Sequence, residues 1–241
     1  MTTTVQVRVG TAGWRLGRND GDANAGSQLE RYARLFPCVE INSSFYRPHR
    51  PATYARWAAA VPAGFQFSLK VPKEITHVRR MVDASDLTER FLDETAHLGA
   101  KRAVLLVQLP PSFAYDARTV QPFFAALRER YDGLVVCEPR HASWFTPAVE
   151  SVLQGLRVAR VAADPAPVPA AAIPGGWGGL VYVRLHGAPR MYYSSYEHAA
   201  LETYAAQLRH LTVPAWCIFD NTGLGGATAN AIDLQRILRE G

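Results

Sequence analysis

The chain has 241 residues, 48% hydrophobic and 20% charged, which excludes a mainly disordered polymer and suits one large domain over residues 1–241. A formal net charge of +5 is modest for this length; it favours a small anionic or phosphate-bearing ligand and leaves nucleic acid as a candidate partner. Cys38, Cys137 and Cys217 lie singly in apolar runs, without disulfide or metal spacing, and no run reaches the ~20 apolar residues of a membrane span. The start MTTTVQVRVG lacks the pattern of a signal peptide, so a cytoplasmic protein is expected, with no membrane partner and no specified oligomeric state.

In chain order, eight apolar runs of strand length occur at 5–10, 38–42, 65–70, 103–109, 134–138, 158–162, 180–186 and 215–220. Helical spacing separates them, as in Leu29, Tyr32, Ala33 and Phe36, then Val120, Phe123, Phe124, Leu127 and Tyr131, then Leu201, Tyr204, Ala205 and Leu208. Asp86 with Glu89 reads as a capping box, Thr146 before Pro147 as a helix start, and Gly99 as a helix stop. Alternating strands and helices imply parallel pairing, and eight units in this length predict a (β/α)8 TIM-barrel-like fold, with an open doubly wound sheet as the alternative. The spacing of Gly10, Gly13 and Gly17 is not that of a dinucleotide fingerprint, and no phosphate-loop motif occurs. The Pro-, Ala- and Gly-rich stretch 164–179 reads as a lid or as a passive surface loop.

Polar residues collect at the strand ends. Thr11, Gly13 and Trp14 follow the first run; Glu40 and Asn42 close the second, Lys70 the third and Gln108 the fourth. Glu138, Arg140 and His141 come at the fifth, Asp164 at the sixth, Arg184 and His186 at the seventh, Asp220 and Asn221 at the eighth. Residues two apart on a strand share a face, so Val39, Ile41, Val183 and Leu185 should face the helices, as should Cys38 and Cys137. Packing alone would pair the charges, for example Glu40 with Arg8 or Glu138 with Arg184. Concentration of so many at the end where barrels carry their catalytic loops favours a pocket instead.

The leading expectation is a hydrolase acting on a phosphate-bearing or other anionic substrate, possible substrates including nucleic acid. Glu138 or Asp164 would position water as general base, and His186 or His141 would protonate the leaving group. Lys70, Arg140 and Arg184 would hold the anion, with Glu40, Asn42, Tyr46, His77, Gln108, Trp144, Tyr192 and Asn221 as further substrate contacts. A divalent metal on His186 with Glu138, Asp164 or Asp220 would instead serve a metal-assisted sugar isomerase or phosphodiesterase, although no H-E-x-x-H spacing supports it. A third reading is a non-catalytic nucleic-acid or nucleotide binding module using the aromatic residues near the mouth, Trp14, Phe45, Tyr46, Trp144, Trp177, Tyr192, Tyr193 and Tyr196. No G-x-S-x-G elbow supports a serine nucleophile.

Seven blocks occur in order: GTAGW from Gly10, VEINSSFYRPH from Val39, FSLKVPKEITH from Phe67, QLPPSF from Gln108, EPRHASW from Glu138, VRLHG from Val183 and FDNTGLGGATANA from Phe219. On these the chain resembles the YecE-like family, catalogued as domain of unknown function 72. The resemblance spans nearly the whole chain and implies a TIM-barrel-like fold with a pocket lined by the positions above; it supplies no reaction. The first loop, RLGRNDGDANAGS, departs from the family pattern, and Asp220 stands where members carry Asn or Asp.

Overall fold

The computed structural model describes residues 6–17 and 26–240. Its strands are β1 Val7–Thr11, β2 Cys38–Ile41, β3 Gln66–Lys70, β4 Arg102–Gln108, β5 Leu134–Glu138, β6 Val158–Arg160, β7 Ala162–Asp164, β8 Gly175–Gly176, β9 Val181–Leu185 and β10 Ala215–Phe219. The helices are α1 Gln28–Leu35, α2 Ser43–Tyr46, α3 Pro51–Ala59, α4 Ser85–Ala96, α5 Ala117–Arg130, α6 Pro147–Gly155, α7 His198–Arg209 and α8 Gly226–Glu240. Among the described residues no helix is long and apolar enough to cross a membrane. Val5, expected to begin the first strand, lies outside the described residues, as do positions 18–25 of the first loop.

The strands form two sheets, β1-β10-β9-β7 and β2-β3-β4-β5-β6-β8, and only the β6–β8 pairing is antiparallel. This is a mixed α/β fold built on parallel strands. The sheets adjoin at a parallel bridge between Ala12 and Glu40, where the Gly13 N–H donates to the Glu40 carbonyl at 2.8 Å. They also adjoin at Val161, through which β6 runs directly into β7.

The sixth run therefore does not form the single strand expected. Its first half pairs with β5 and its second with β9, so the chain changes sheets midway. Arg160 leaves the sheet to meet Glu150 of α6 at 2.5 Å, and Gly175–Gly176 takes the other edge of β6. A Cβ on Gly176, whose φ is +65°, would strike the Val158 carbonyl. The stretch 164–179 thus supplies a sheet edge pinned to α6, where the Glu150 carboxylate accepts the Gly176 N–H, and is not a lid.

Strand alternation sorts the core into two sets. Val39, Ile41, Phe67, Leu69, Leu105, Val107, Cys137, Leu185 and Phe219 pack under the helices. Cys38, Val104, Leu106, Val136, Ala159, Tyr182, Trp216 and Ile218 form a separate cluster on the other face. Each large side chain buried this way contributes roughly 1.5–3 kcal/mol. Cys38 corrects the sequence reading: two residues from Glu40, it shares the Glu40 face and turns away from the helices. Gly10 permits the close approach of β1 to β2, because a Cβ there would collide with the Cys38 carbonyl and sulfur.

Helix ends follow local chemistry. Thr146 caps α6 by accepting the Val149 N–H at 3.4 Å, with Pro147 in the first turn. The capping box expected at Asp86 and Glu89 is absent: Ala84 occupies the cap of α4, and Asp86 pairs with Arg79 at 2.9 Å. A capping box does form at Ser27 and Glu30 of α1. Tyr32 of that helix accepts the Thr11 N–H at 2.8 Å and pins α1 to the end of β1.

Candidate active site

On the face turned away from the helices, side chains change from apolar to polar toward the C-terminal end of each strand. Cys38 is followed by Glu40, Ser68 by Lys70, Val136 by Glu138, Tyr182 by Arg184 and then His186, and Ile218 by Asp220. Arg184 is fully buried at the centre. Its Nε and Nη2 donate to Glu40 at 3.1 and 2.7 Å, its Nη1 to Glu138 at 2.6 Å, and its Nη2 also to Asp220 at 3.0 Å. Each ion taken from water costs several kcal/mol unless paired and hydrogen-bonded, and three carboxylates around one guanidinium answer that cost.

Four of the five N–H donors of Arg184 are thereby committed, so the expectation that it holds an external anion does not fit. Glu138 is equally occupied. Its Oε1 accepts from Arg140 Nε and Nη2 at 3.1 and 3.0 Å and lies 3.1 Å from His186 Nε2. Burial alone would raise the Glu138 pKa, but Arg184, His186 and Arg140 hold it well below the usual carboxylate range. A carboxylate so held does not take a proton from water, which removes the general-base role expected for it.

His186 sits between two carboxylates, with Nδ1 3.1 Å from Asp220 and Nε2 3.1 Å from Glu138. Burial is the largest single influence and pushes its pKa down, yet the Glu138 charge together with the hydrogen bonds to Asp220 and Glu138 outweighs it and raises the pKa, so the charged imidazolium is favoured. Asp220 is lowered in turn: burial opposes, while Arg184 and His186 dominate. The Tyr182 hydroxyl, 2.9 Å from both Glu40 Oε2 and Ser68 Oγ, completes the cluster from below.

Lys70 differs from every other charge here. It is 7% exposed, and among the described residues its ammonium has no hydrogen-bond or ion-pair partner. It lies 4.2 Å over the Phe45 ring. Burial, then the nearby Arg184, lower its pKa to about 8 against the opposing pull of Glu40, Asp220 and Glu138. His77 stands edge-on to the same ring at 5.0 Å, and burial together with Lys70 brings it to about 4, leaving the imidazole neutral.

Other expected site residues divide. Asn42 donates to Asp220 at 3.4 Å, Gln108 is buried opposite Glu138, and the Tyr192 ring stands edge-on to His186 at 5.7 Å. Asp164 does not join them: it lies on the helix-facing side and accepts from the Tyr196 hydroxyl at 2.7 Å. His141 turns its Nδ1 to Ser143 and caps a short turn, while the fully buried Trp144 donates Nε1 to the Phe113 carbonyl at 2.8 Å. Asn221 donates to Ser194 and Asn230, holding a loop to α8, and Tyr46 is 76% exposed outside the cluster. Arg8 reaches the Pro37 and Gly64 carbonyls rather than Glu40. Tyr182 and Ser68 also belong to the cluster; each lies two residues before an expected site residue and so shares its face.

Parallel strands alternating with helices, with a buried charge network at the strand C-termini, define an α/β protein. The chain belongs to the family described as protein of unknown function DUF72, whose model matches residues 8–241. It is 31% identical to UPF0759 protein YecE of Escherichia coli (strain K12) over 151 residues, 60% of this chain and 55% of that one. It is 28% identical to UPF0759 protein YunF of Bacillus subtilis (strain 168) over 151 residues, 58% of this chain and 53% of that one. The chain thus spans about half the length of the curated relatives it matches. The crystal structure of a DUF72 family protein from Thermotoga maritima superposes with a TM-score of 0.81 at 24% identity, covering 97% of this chain and 99% of that one. One from Enterococcus faecalis V583 gives 0.77 at 25% identity, with 98% of each chain covered.

Proposed function

We propose that residues 1–241 form a single (β/α)8 barrel and that the chain is an enzyme acting by acid–base chemistry on a small anionic, phosphate-bearing substrate at the strand C-termini. Two seams between the sheets, at Ala12–Glu40 and Val161, support the barrel reading. The observation that carries the function is Lys70, a buried cation without an anion in a cluster where the other charges are paired. An unpaired buried charge is expensive, and a substrate anion would relieve it. Apart from the charged cluster, the loop from Thr222 with Arg15 and Thr228 lines a cavity of about 670 Å³ at the start of α8. The first N–H groups of a helix have no internal partners and favour phosphate.

The metal-assisted alternative loses its donors, because Glu40, Glu138 and Asp220 already face Arg184, and no group of three suitable ligands converges among the described residues. Binding of nucleic acid without turnover draws on Arg190 stacked 4.3 Å over Tyr193 and on exposed Tyr46 and Tyr192. A panel of phosphate esters and sugar phosphates, assayed for chemical change with wild type and Lys70→Met, tests the proposal. Turnover lost in the variant supports it; oligonucleotide binding that weakens steeply with salt, and no turnover of any compound, would favour the binding module.

A further inference from the structure

The sequence holds 26 lysines and arginines, of which only Lys70, Lys73 and Lys101 are lysines. Arginine stays protonated in proteins, whereas a lysine amine can lose its proton and become a nucleophile. Lys101 is committed to the Ala58 and Val61 carbonyls at 2.6 and 2.5 Å, and Lys73 is exposed. Lys70 alone combines an amine with burial inside the charged cluster.

We propose that Lys70 is a covalent nucleophile whose Nζ condenses with the carbonyl carbon of a small anionic aldehyde or ketone to give an iminium. This rests on the pocket assigned above and names its substrate class. Lys70 ends β3 on the same face as Ser68, with the Phe45 ring beneath its Nζ and no acceptor holding it. Arg184 of β9, Glu40 of β2, Glu138 of β5 and Asp220 just past β10 act on it from across the cluster, and Lys70 in turn acts on His77 of the turn Glu74–Val78. A desolvated amine beside a second cation is the setting in which lysine is activated for Schiff-base chemistry.

The step balances without another reagent. The ammonium, its pKa brought to about 8, first gives a proton to solvent. The freed lone pair attacks the carbonyl carbon, a C–N bond forms, and the carbonyl π pair moves to oxygen, which takes the nitrogen's surplus proton to give a carbinolamine. The C–O bond then breaks as the departing hydroxyl takes back one proton from solvent. Water leaves and the nitrogen lone pair closes the C=N bond, so ammonium plus carbonyl becomes iminium plus water.

Wild-type protein is incubated separately with glyoxylate and dihydroxyacetone phosphate, reduced with cyanoborohydride, and mapped by peptide mass, while a parallel thermal-shift series uses inorganic phosphate. At pH 7.5 an amine of pKa about 8 holds on the order of a hundredfold more neutral form than a free lysine side chain, so the expected result is one adduct, on Lys70, outpacing Lys73 at least about tenfold. Lys70→Arg, which keeps the charge, should give no adduct while retaining the phosphate response. No adduct on Lys70, or labelling of Lys73 at an equal rate, overturns the covalent role. If phosphate still stabilises the protein in that case, the anion pocket stands; if Lys70 is labelled but phosphate does nothing, the covalent role stands and the anion reading falls.

Discussion

Arg184 Nη2 lies 2.7 Å from Glu40 Oε1, with neither side chain reached by solvent. The pair joins β9 to β2 across 144 positions of sequence. Arg184→Met should cost about 3–5 kcal/mol in urea unfolding, because it strands Glu40, Glu138 and Asp220 without their shared cation. Adding Glu40→Gln to that variant should recover part of the loss, as expected for contacting groups. A cost below about 1 kcal/mol, the range of exposed pairs, would contradict the central role given to this cation.

The same network sets a pH profile. Glu138 and Asp220 have pKa values lowered from 4.5 and 3.8, so their contribution is complete above those values and is lost as pH falls through the folded ones. His186 is raised from 6.5, so its contribution is complete below 6.5 and is lost as pH rises through the folded value. His77, lowered from 6.5 to about 4, works against the folded state below pH 6.5, so stability should peak near pH 6.5 and decline above it as His186 loses its proton. His186→Gln should flatten the decline when unfolding free energy is measured at intervals across that range.

Lys70 carries the opposite cost. A cation whose pKa falls from 10.5 to about 8 on folding destabilises the folded protein at neutral pH, by up to about 3 kcal/mol. Lys70→Met should therefore raise the melting temperature while removing function, the trade expected where a site holds strain that activity needs. A melting temperature lowered by the substitution would mean that Lys70 has a stabilising partner.

Asp164 supplies the contrast. Its carboxylate accepts from the Tyr196 hydroxyl on the helix-facing side, so Asp164→Ala should cost about 1–2 kcal/mol of stability and leave ligand affinity unchanged. Titration of the variant with inorganic phosphate checks both parts, and a lost phosphate response would restore Asp164 to the site.

Strand alternation made most of this legible. Glu40, Glu138, Arg184 and His186 share a face because residues two apart do, and Val39, Ile41 and Leu185 went to the helices as expected. Applied to Cys38, the same rule places it with Glu40, opposite to the expectation stated for it. The break after Arg160 was not legible, because an apolar run does not reveal which neighbour each half pairs with. That break also governs Asp164, which continues β7 on the helix side. The commitments of Arg184 were hidden for another reason: sequence shows which charges are present, but only three dimensions show which are already spent on each other.

The most direct test of the anion pocket is the melting temperature of wild type, Lys73→Met and Lys70→Met, each titrated with inorganic phosphate. A ligand at a hundred times its Kd adds about 2.7 kcal/mol to the folded state. Phosphate should raise the melting temperature of wild type and Lys73→Met and leave Lys70→Met unmoved from its own higher baseline. Equal shifts in all three proteins, or none in wild type, would contradict the assignment of Lys70 as the group that meets the substrate's anion.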